Sequence, residues 1–115
     1  MHALIIEDEP LTAQLIEVLL REIGYSSFAF AVDEHEAVAA AIERCPDLIT
    51  SDVELTHGCG IDAVQRICDG KTIAALYITT TPGTVRERCP QAVVVQKPFR
   101  VSDLHAAEQE ARNAA

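Results

Sequence analysis

Short apolar runs alternate with segments of helical periodicity along the whole chain. Compact runs rich in aliphatic residues predict five strands, at residues 3–6, 28–31, 48–51, 73–79 and 92–96. Helical spacing or helix-ending residues predict helices between them, at about residues 10–23, 33–44 and 61–69, with a last helix at 101–112. Strands that alternate with helices indicate an α/β fold with a parallel sheet and right-handed crossovers.

The first helix is predicted in most detail. Pro10 fits its first turn, where a missing N–H is tolerated, and Gly24 ends it. Its apolar face at helical spacing is expected to consist of Leu11, Leu15, Val18 and Leu19.

Length and composition limit the classes of protein to consider. A chain of 115 residues forms one domain, 1–115, and its many aliphatic but few aromatic residues suit a buried sheet covered by helices. A net charge of −9 argues against a nucleic-acid-binding surface, which requires clustered Lys and Arg. No apolar segment approaches transmembrane length and no targeting segment is evident, so we expect a cytoplasmic protein without membrane contact.

The cysteines lack the spacing of a metal site. No Cys-x-x-Cys pair occurs, and no cysteine stands at zinc-type spacing from a histidine. We expect all four to be reduced thiols that are packed or idle: Cys45, Cys59, Cys68 and Cys89.

Chemistry-bearing side chains follow the ends of four predicted strands. Glu7 and Asp8 follow the first strand, Asp52 the third, while Thr79 ends the fourth and Lys97 follows the fifth. Ligands of parallel sheets bind at the carboxyl ends of the strands. Carboxylates gathered there cannot all ionise easily without a cation, and oxygen ligands suit Mg²⁺. A lysine and a hydroxyl can bind phosphoryl oxygens, and an aspartate can accept a phosphoryl group.

Each residue taken alone has an ordinary structural explanation. Acids after a strand often interact with the dipole of the next helix, and Lys97 before a proline is usually a solvated lysine. Their joint placement at four strand ends favours a phosphoryl-accepting site at Asp52.

These motifs together resemble the receiver domain of bacterial two-component response regulators. The resemblance covers essentially the whole chain and rests on residues 5–10 (IIEDEP), 52–60 (DVELTHGCG), 77–79 (YIT) and 97–99 (KPF). It implies a flavodoxin-like, doubly wound sheet of order 2-1-3-4-5 with helices on both faces. The EDEP start and the GCGIDAV run are also similar to receivers of alphaproteobacterial stress-response regulators.

The resemblance implies a role for each candidate residue. In that family Mg²⁺ is held by residues that match Glu7, Asp8, Asp52 and the backbone carbonyl of Glu54. Asp52 matches the acceptor, phosphorylated by a sensor histidine kinase or a histidine phosphotransfer protein, while Thr79 matches the switch hydroxyl and Lys97 the phosphate-sensing lysine. Such a domain promotes its own phosphorylation and dephosphorylation, without a separate catalytic output domain, and signals through a downstream protein.

Departures from the family pattern concern the output. Thr56 stands where a proline is usual, Thr80 where a small residue is common, and Val94 where the switch aromatic often stands. Pro82 and Pro90 leave room for only one or two helical turns, so we expect a short or irregular fourth helix. We therefore expect the signal to leave through ordering of this segment.

Other functions fit the sequence less well. A haloacid-dehalogenase-like phosphotransferase would need an Asp-x-Asp after the first strand, and a nucleotide-binding module would need a glycine-rich turn there. A degenerate receiver, acting as an interaction module without phosphorylation, stays open. No output domain follows the last helix, so the chain is either a stand-alone regulator or a piece of a longer protein.

Overall fold

Five strands and five helices alternate in the computed structural model, which describes residues Met1–Ala115. The strands are β1 His2–Ile6, β2 Ser27–Ala31, β3 Leu48–Ser51, β4 Ala74–Thr79 and β5 Val93–Gln96. The helices are α1 Pro10–Ile23, α2 Glu34–Glu43, α3 Gly60–Cys68, α4 Pro82–Arg88 and α5 Val101–Ala114.

All five strands are parallel and lie in the order β2-β1-β3-β4-β5. This is the flavodoxin-like order, and it confirms the predicted fold class. The order reverses between β1 and β3, so the chain leaves the carboxyl ends of these neighbours in opposite directions and opens a crevice there. Glu7 and Asp52 directly follow these two strands.

The sheet separates two apolar layers, because the central strands are buried on both faces. Side chains of α1 and α5 pack on one face in a cluster of 16 buried residues, which includes Ile5, Leu20 and Leu104. Side chains of α2, α3 and α4 pack on the other face in a cluster of 13, which includes Leu4 and Ile61. Every residue of β1 and β3 is buried.

The predicted inner face of α1 is wrong for three of its four residues. Leu11, Leu15 and Val18 are 74%, 46% and 53% exposed, and only Leu19 of the predicted set is buried. The buried face consists of Ala13, Ile16, Leu19 and Leu20. This helix carries apolar residues on most of its circumference. Their spacing therefore fits two overlapping apolar faces, the predicted one and the one that is buried. Packing against β1 and α5 selects the second face.

The fourth helix is short, as predicted, with seven residues that begin at Pro82. It is nevertheless anchored, because Val85 is fully buried and Arg88 forms an ion pair with Asp62 of α3 at 2.6 Å.

None of the five helices combines the length and the apolarity that a membrane crossing requires.

Candidate functional site

Three carboxylates meet at the carboxyl ends of β1 and β3. Glu7, Asp8 and Asp52 each offer an oxygen, and these oxygens lie within 4.8 Å of one another. Glu7 is 4% exposed, whereas Asp8 and Asp52 are partly exposed. The neighbouring positions of β1 and β3 in the sheet produce this convergence, because Ile6 pairs with Ser51 and the chain continues into the acids.

Lys97 contributes the positive charge of the site. Its Nζ donates to Glu7 Oε1 at 2.8 Å and to Asp52 Oδ2 at 3.1 Å. Burial alone would lower the pKa of Lys97, but the hydrogen bonds to Glu7 and Asp52 outweigh it, so the pKa is raised and the ammonium is favoured. Burial raises the pKa of Glu7, an effect that the bond from Lys97 opposes.

The carboxylate and the peptide of Asp52 are both fixed by neighbours. The backbone N–H of Val53 donates to Asp52 Oδ1 at 2.7 Å, and the N–H of Asp52 donates to the carbonyl of Ile6 at 2.9 Å. The Ser51 hydroxyl donates to the carbonyl of Asp52 at 2.7 Å. Gly60 begins α3 so close to this carbonyl that an added Cβ would lie 1.6 Å from it. The Asp52 side chain is nevertheless 14% exposed, so it remains partly open to solvent.

Thr79 lies at the end of β4 but does not contact Asp52 through a hydrogen bond. It is fully buried, and its Oγ1 accepts a hydrogen bond from the N–H of Thr81 at 3.0 Å and pairs with the Thr81 hydroxyl at 3.1 Å. The structure therefore brings together four predicted site residues, Glu7, Asp8, Asp52 and Lys97, and leaves the Thr79 hydroxyl bonded within its own turn.

Two features of the loop after Asp52 bear on the site. Glu54 forms an isolated bridge with Cys59, which closes the loop on itself. Thr56 donates from its hydroxyl to Asp8 Oδ2 at 3.0 Å, a contact that the sequence analysis did not anticipate. Its only signal in the sequence was the departure from proline at this position.

The residues present fit a magnesium ion. Hard cations with octahedral geometry take carboxylate oxygens and retain water molecules, and Mg²⁺ is usually bound by one or two carboxylates. Three acidic side chains with a single lysine leave the cluster with excess negative charge and exposed oxygens on Asp8 and Asp52. The thiols do not compete as ligands, since no cysteine belongs to the cluster.

Comparison with known proteins agrees with this geometry. The family model described as "Response regulator receiver domain" matches residues 3–109. The Phyllosphere-induced regulator PhyR of Methylorubrum extorquens is 36% identical over 107 residues, which are 90% of this chain and 40% of that protein. The chain thus spans about half the length, or less, of the first curated relatives it matches.

Two solved structures extend the likeness to three dimensions. The receiver domain of Erythrobacter litoralis PhyR has a TM-score of 0.86 at 30% identity, covering 96% of this chain and 88% of that one. The anti-anti-sigma factor PhyR of Bartonella quintana has a TM-score of 0.81 at 31% identity, covering 98% of this chain and 47% of that one. A third solved structure with a similar fold is described as the PhyR stress response regulator, which confirms the resemblance to receivers of stress-response regulators. The chain belongs to the response regulator receiver domain family, and within it to the receivers that are similar to PhyR.

Proposed function

We propose that this domain accepts a phosphoryl group on Asp52 in a Mg²⁺-dependent reaction, with a sensor histidine kinase or a histidine phosphotransfer protein as the donor. The observation that carries the proposal is the arrangement around one partly exposed aspartate. Asp52 has a lysine ammonium at 3.1 Å and two further carboxylates within metal-binding reach. Phosphoryl transfer requires mainly positioning and charge stabilisation, and these groups are suited to both.

The transfer forms one bond and breaks one. A carboxylate oxygen of Asp52 bonds to phosphorus while the P–N bond of the donor's phosphohistidine breaks, and the imidazole leaves. Lys97 shifts from its carboxylate partners toward the phosphoryl oxygens that arrive beside them. Glu7, Asp8, Asp52 and the backbone carbonyl of Glu54 are the groups that would hold Mg²⁺. When bound, the ion supplies positive charge between the carboxylates and the phosphoryl oxygens.

Acetyl phosphate provides the direct test, because it is a small donor that requires no partner protein. Incubation with acetyl phosphate and Mg²⁺ should add one phosphoryl group, measured as a mass increase in the intact chain, and Asp52→Asn should abolish it. Phosphorylation that persists in the Asn variant, or that is absent from the wild-type chain, contradicts the proposal. In the second case the chain would be a degenerate receiver that acts only through protein contacts.

The metal has its own test. Asp8→Asn should weaken both Mg²⁺ binding and phosphorylation, because it removes one anionic ligand. Asp69→Asn is the matched control, since Asp69 is exposed and follows α3 at the end remote from Asp52. An Asp8 variant that binds Mg²⁺ as tightly as the wild type in a calorimetric titration contradicts the assigned ligands.

The signal is proposed to leave through residues 80–88. A switch aromatic is absent, since Val94 occupies the matching position. Thr79 and Lys97 flank this segment, and α4 has only one buried side chain, Val85. Adding up to two negative charges at Asp52 would draw the Thr79 hydroxyl from its partner Thr81 and reorder the segment. Amide hydrogen exchange with beryllofluoride, a phosphoryl mimic, should slow across residues 80–88, and the effect should vanish in Thr79→Ala. Protection confined to other elements contradicts this route.

The downstream partner is proposed to be a protein. The Bartonella quintana relative is described as an anti-anti-sigma factor, so an anti-sigma factor is the first candidate to test. Affinity capture with and without beryllofluoride should retain it in only one of the two states. A cytoplasmic location follows from the proposal, because the kinase draws its phosphoryl group from ATP.

A further inference from the structure

The three carboxylates of the site differ in how the protein holds them. Glu7 accepts bonds from Lys97 and from the N–H of Glu9, and Asp52 accepts bonds from Lys97 and from the N–H of Val53. The carboxylate of Asp8 accepts a single hydrogen bond from the protein, the one from the Thr56 hydroxyl at 3.0 Å. Thr56 therefore determines the orientation of the least restrained carboxylate in the cluster.

The loop that carries Thr56 is anchored on both sides. Residues on its two sides bond to each other. Glu54 and Cys59 form a β-bridge, and the backbone N–H of Gly60 donates to the carbonyl of Val53 at 2.8 Å. At its tip, the carbonyl of His57 accepts a hydrogen bond from α2 at 3.3 Å.

Gly58, two residues after Thr56, also packs against α2. A Cβ at Gly58 would lie 2.8 Å from Cβ of Glu34, whose carboxylate is ion-paired with Arg66 at 2.7 Å. These contacts fix the path of the loop, so the Thr56 hydroxyl is presented to Asp8 from a defined position rather than from a freely moving segment.

We propose that Thr56 is a positioning residue for the magnesium site, and this inference rests on the proposed function. By binding Asp8 Oδ2, its hydroxyl restrains the carboxylate and leaves Oδ1, which accepts no hydrogen bond from the protein, available to the cation. Carboxylates that bind metals are generally held by such outer hydrogen bonds, and losing one typically weakens metal binding about 10- to 100-fold. Because Thr56 and its bond are exposed to water, we expect the lower end of this range, about tenfold.

The chemistry of the side chain makes the role specific to this chain. A proline, usual at this position in the family, has no hydroxyl and cannot donate to Asp8. Serine retains the donor, whereas valine keeps the shape of threonine and loses only the donor. Thr12 offers a matched control, because its hydroxyl donates to the exposed carboxylate of Glu9 at the same distance of 3.0 Å, outside the cluster.

Calorimetric titration of the whole unphosphorylated chain with MgCl₂ tests the proposal without relying on phosphorylation. Thr56→Val should raise the Kd for Mg²⁺ about tenfold, while Thr56→Ser and Thr12→Val should leave it near the wild-type value. An unchanged Kd in Thr56→Val, or a Kd raised equally by Thr12→Val, overturns the proposal. So does a failure of serine to restore binding.

A double-mutant cycle separates positioning of Asp8 from a general effect on the loop. In an Asp8→Asn background, Thr56→Val should weaken Mg²⁺ binding no further, because the two residues act through one ligand. Additive losses would mean that Thr56 acts elsewhere, which overturns its assignment. If the wild-type chain itself binds no Mg²⁺ and accepts no phosphoryl group, the proposed function fails together with this inference. Normal wild-type binding with an unchanged Thr56→Val removes only the role of Thr56.

Discussion

Gly60 begins α3 directly against the peptide of Asp52, and an alanine at this position tests how closely the domain is packed around this proposed acceptor. The added Cβ would lie 1.6 Å from the carbonyl oxygen of Asp52 and 2.5 Å from the Ser51 hydroxyl, whereas ordinary contact begins at 3.4 Å. One partner must therefore move by roughly 1.8 Å, the difference between these distances. The φ angle of Gly60 is not positive, so the effect is steric and does not involve glycine's conformational freedom.

The obstacle is backbone, which cannot rotate away as a flexible side chain could. Overpacking of this kind costs about 1–3 kcal/mol and occasionally more, and we expect the upper end for Gly60→Ala. With a urea dependence of about 1.5 kcal/mol per molar, the midpoint of unfolding followed by circular dichroism should fall by about 2 M. Displacement of Asp52 by even 1 Å should also slow its phosphorylation by acetyl phosphate by about 100-fold.

Gly83→Ala is the matched control. Its Cβ would meet no atom within 4 Å, and it lies inside α4, where alanine is more favourable than glycine by about 0.5–1 kcal/mol. Its urea midpoint should therefore stay constant or rise. If Gly60→Ala unfolds at the same midpoint as the wild type and accepts phosphate at the same rate, the close approach of α3 to Asp52 is refuted.

Three further predictions concern regions away from the site. The free energy of unfolding should fall as the pH drops below the ordinary histidine pKa of 6.5, since burial lowers the pKa of His2 in the folded state and the unfolded chain then binds the additional proton. Urea titrations at several pH values check this, and a His2→Gln variant should show a smaller slope. Tyr25→Phe removes the 2.8 Å hydrogen bond to the buried carboxylate of Glu108 and should cost about 1–3 kcal/mol in the same assay. On α1, Ile16→Ala should cost about 2–5 kcal/mol, whereas Val18→Ala should change stability by less than about 0.5 kcal/mol; equal losses would contradict the observed helix face.

Strand positions were predictable because each strand is a short apolar run between helix signals. The predicted strand at residues 28–31 differs from β2 by one residue, and that at 92–96 differs from β5 by one. Burial of the whole of β1 and of β3 on both faces leaves little ambiguity about these central strands. The face of α1 was not predictable, because its apolar residues form two overlapping faces and either could be turned toward the sheet. Its packing against β1 and α5 decides between them.

The acids of the site were predictable from topology, and their hydrogen bonds were not. Residues that follow adjacent parallel strands must meet, so Glu7 and Asp52 converge whatever the loops do. The bond from Thr56 to Asp8 depends on the path of an irregular loop, which no periodicity encodes. The turn that holds the Thr79 hydroxyl is likewise a local conformation, which a strand pattern ending at this residue does not specify.

The two bonds of Lys97 join parts of the chain that are far apart in sequence. They span 90 residues to Glu7 and 45 residues to Asp52, and the first joins opposite ends of a 115-residue chain. During synthesis, a nascent chain that has left the ribosome only through β4 carries the acids without their cation. Because contacts that close long loops form late in folding, Lys97 joins the acids only after β5 has joined the sheet. Under the proposed function, competence to receive a phosphoryl group would arise only in chains synthesised beyond Lys97, and shorter nascent chains would compete poorly for the donor.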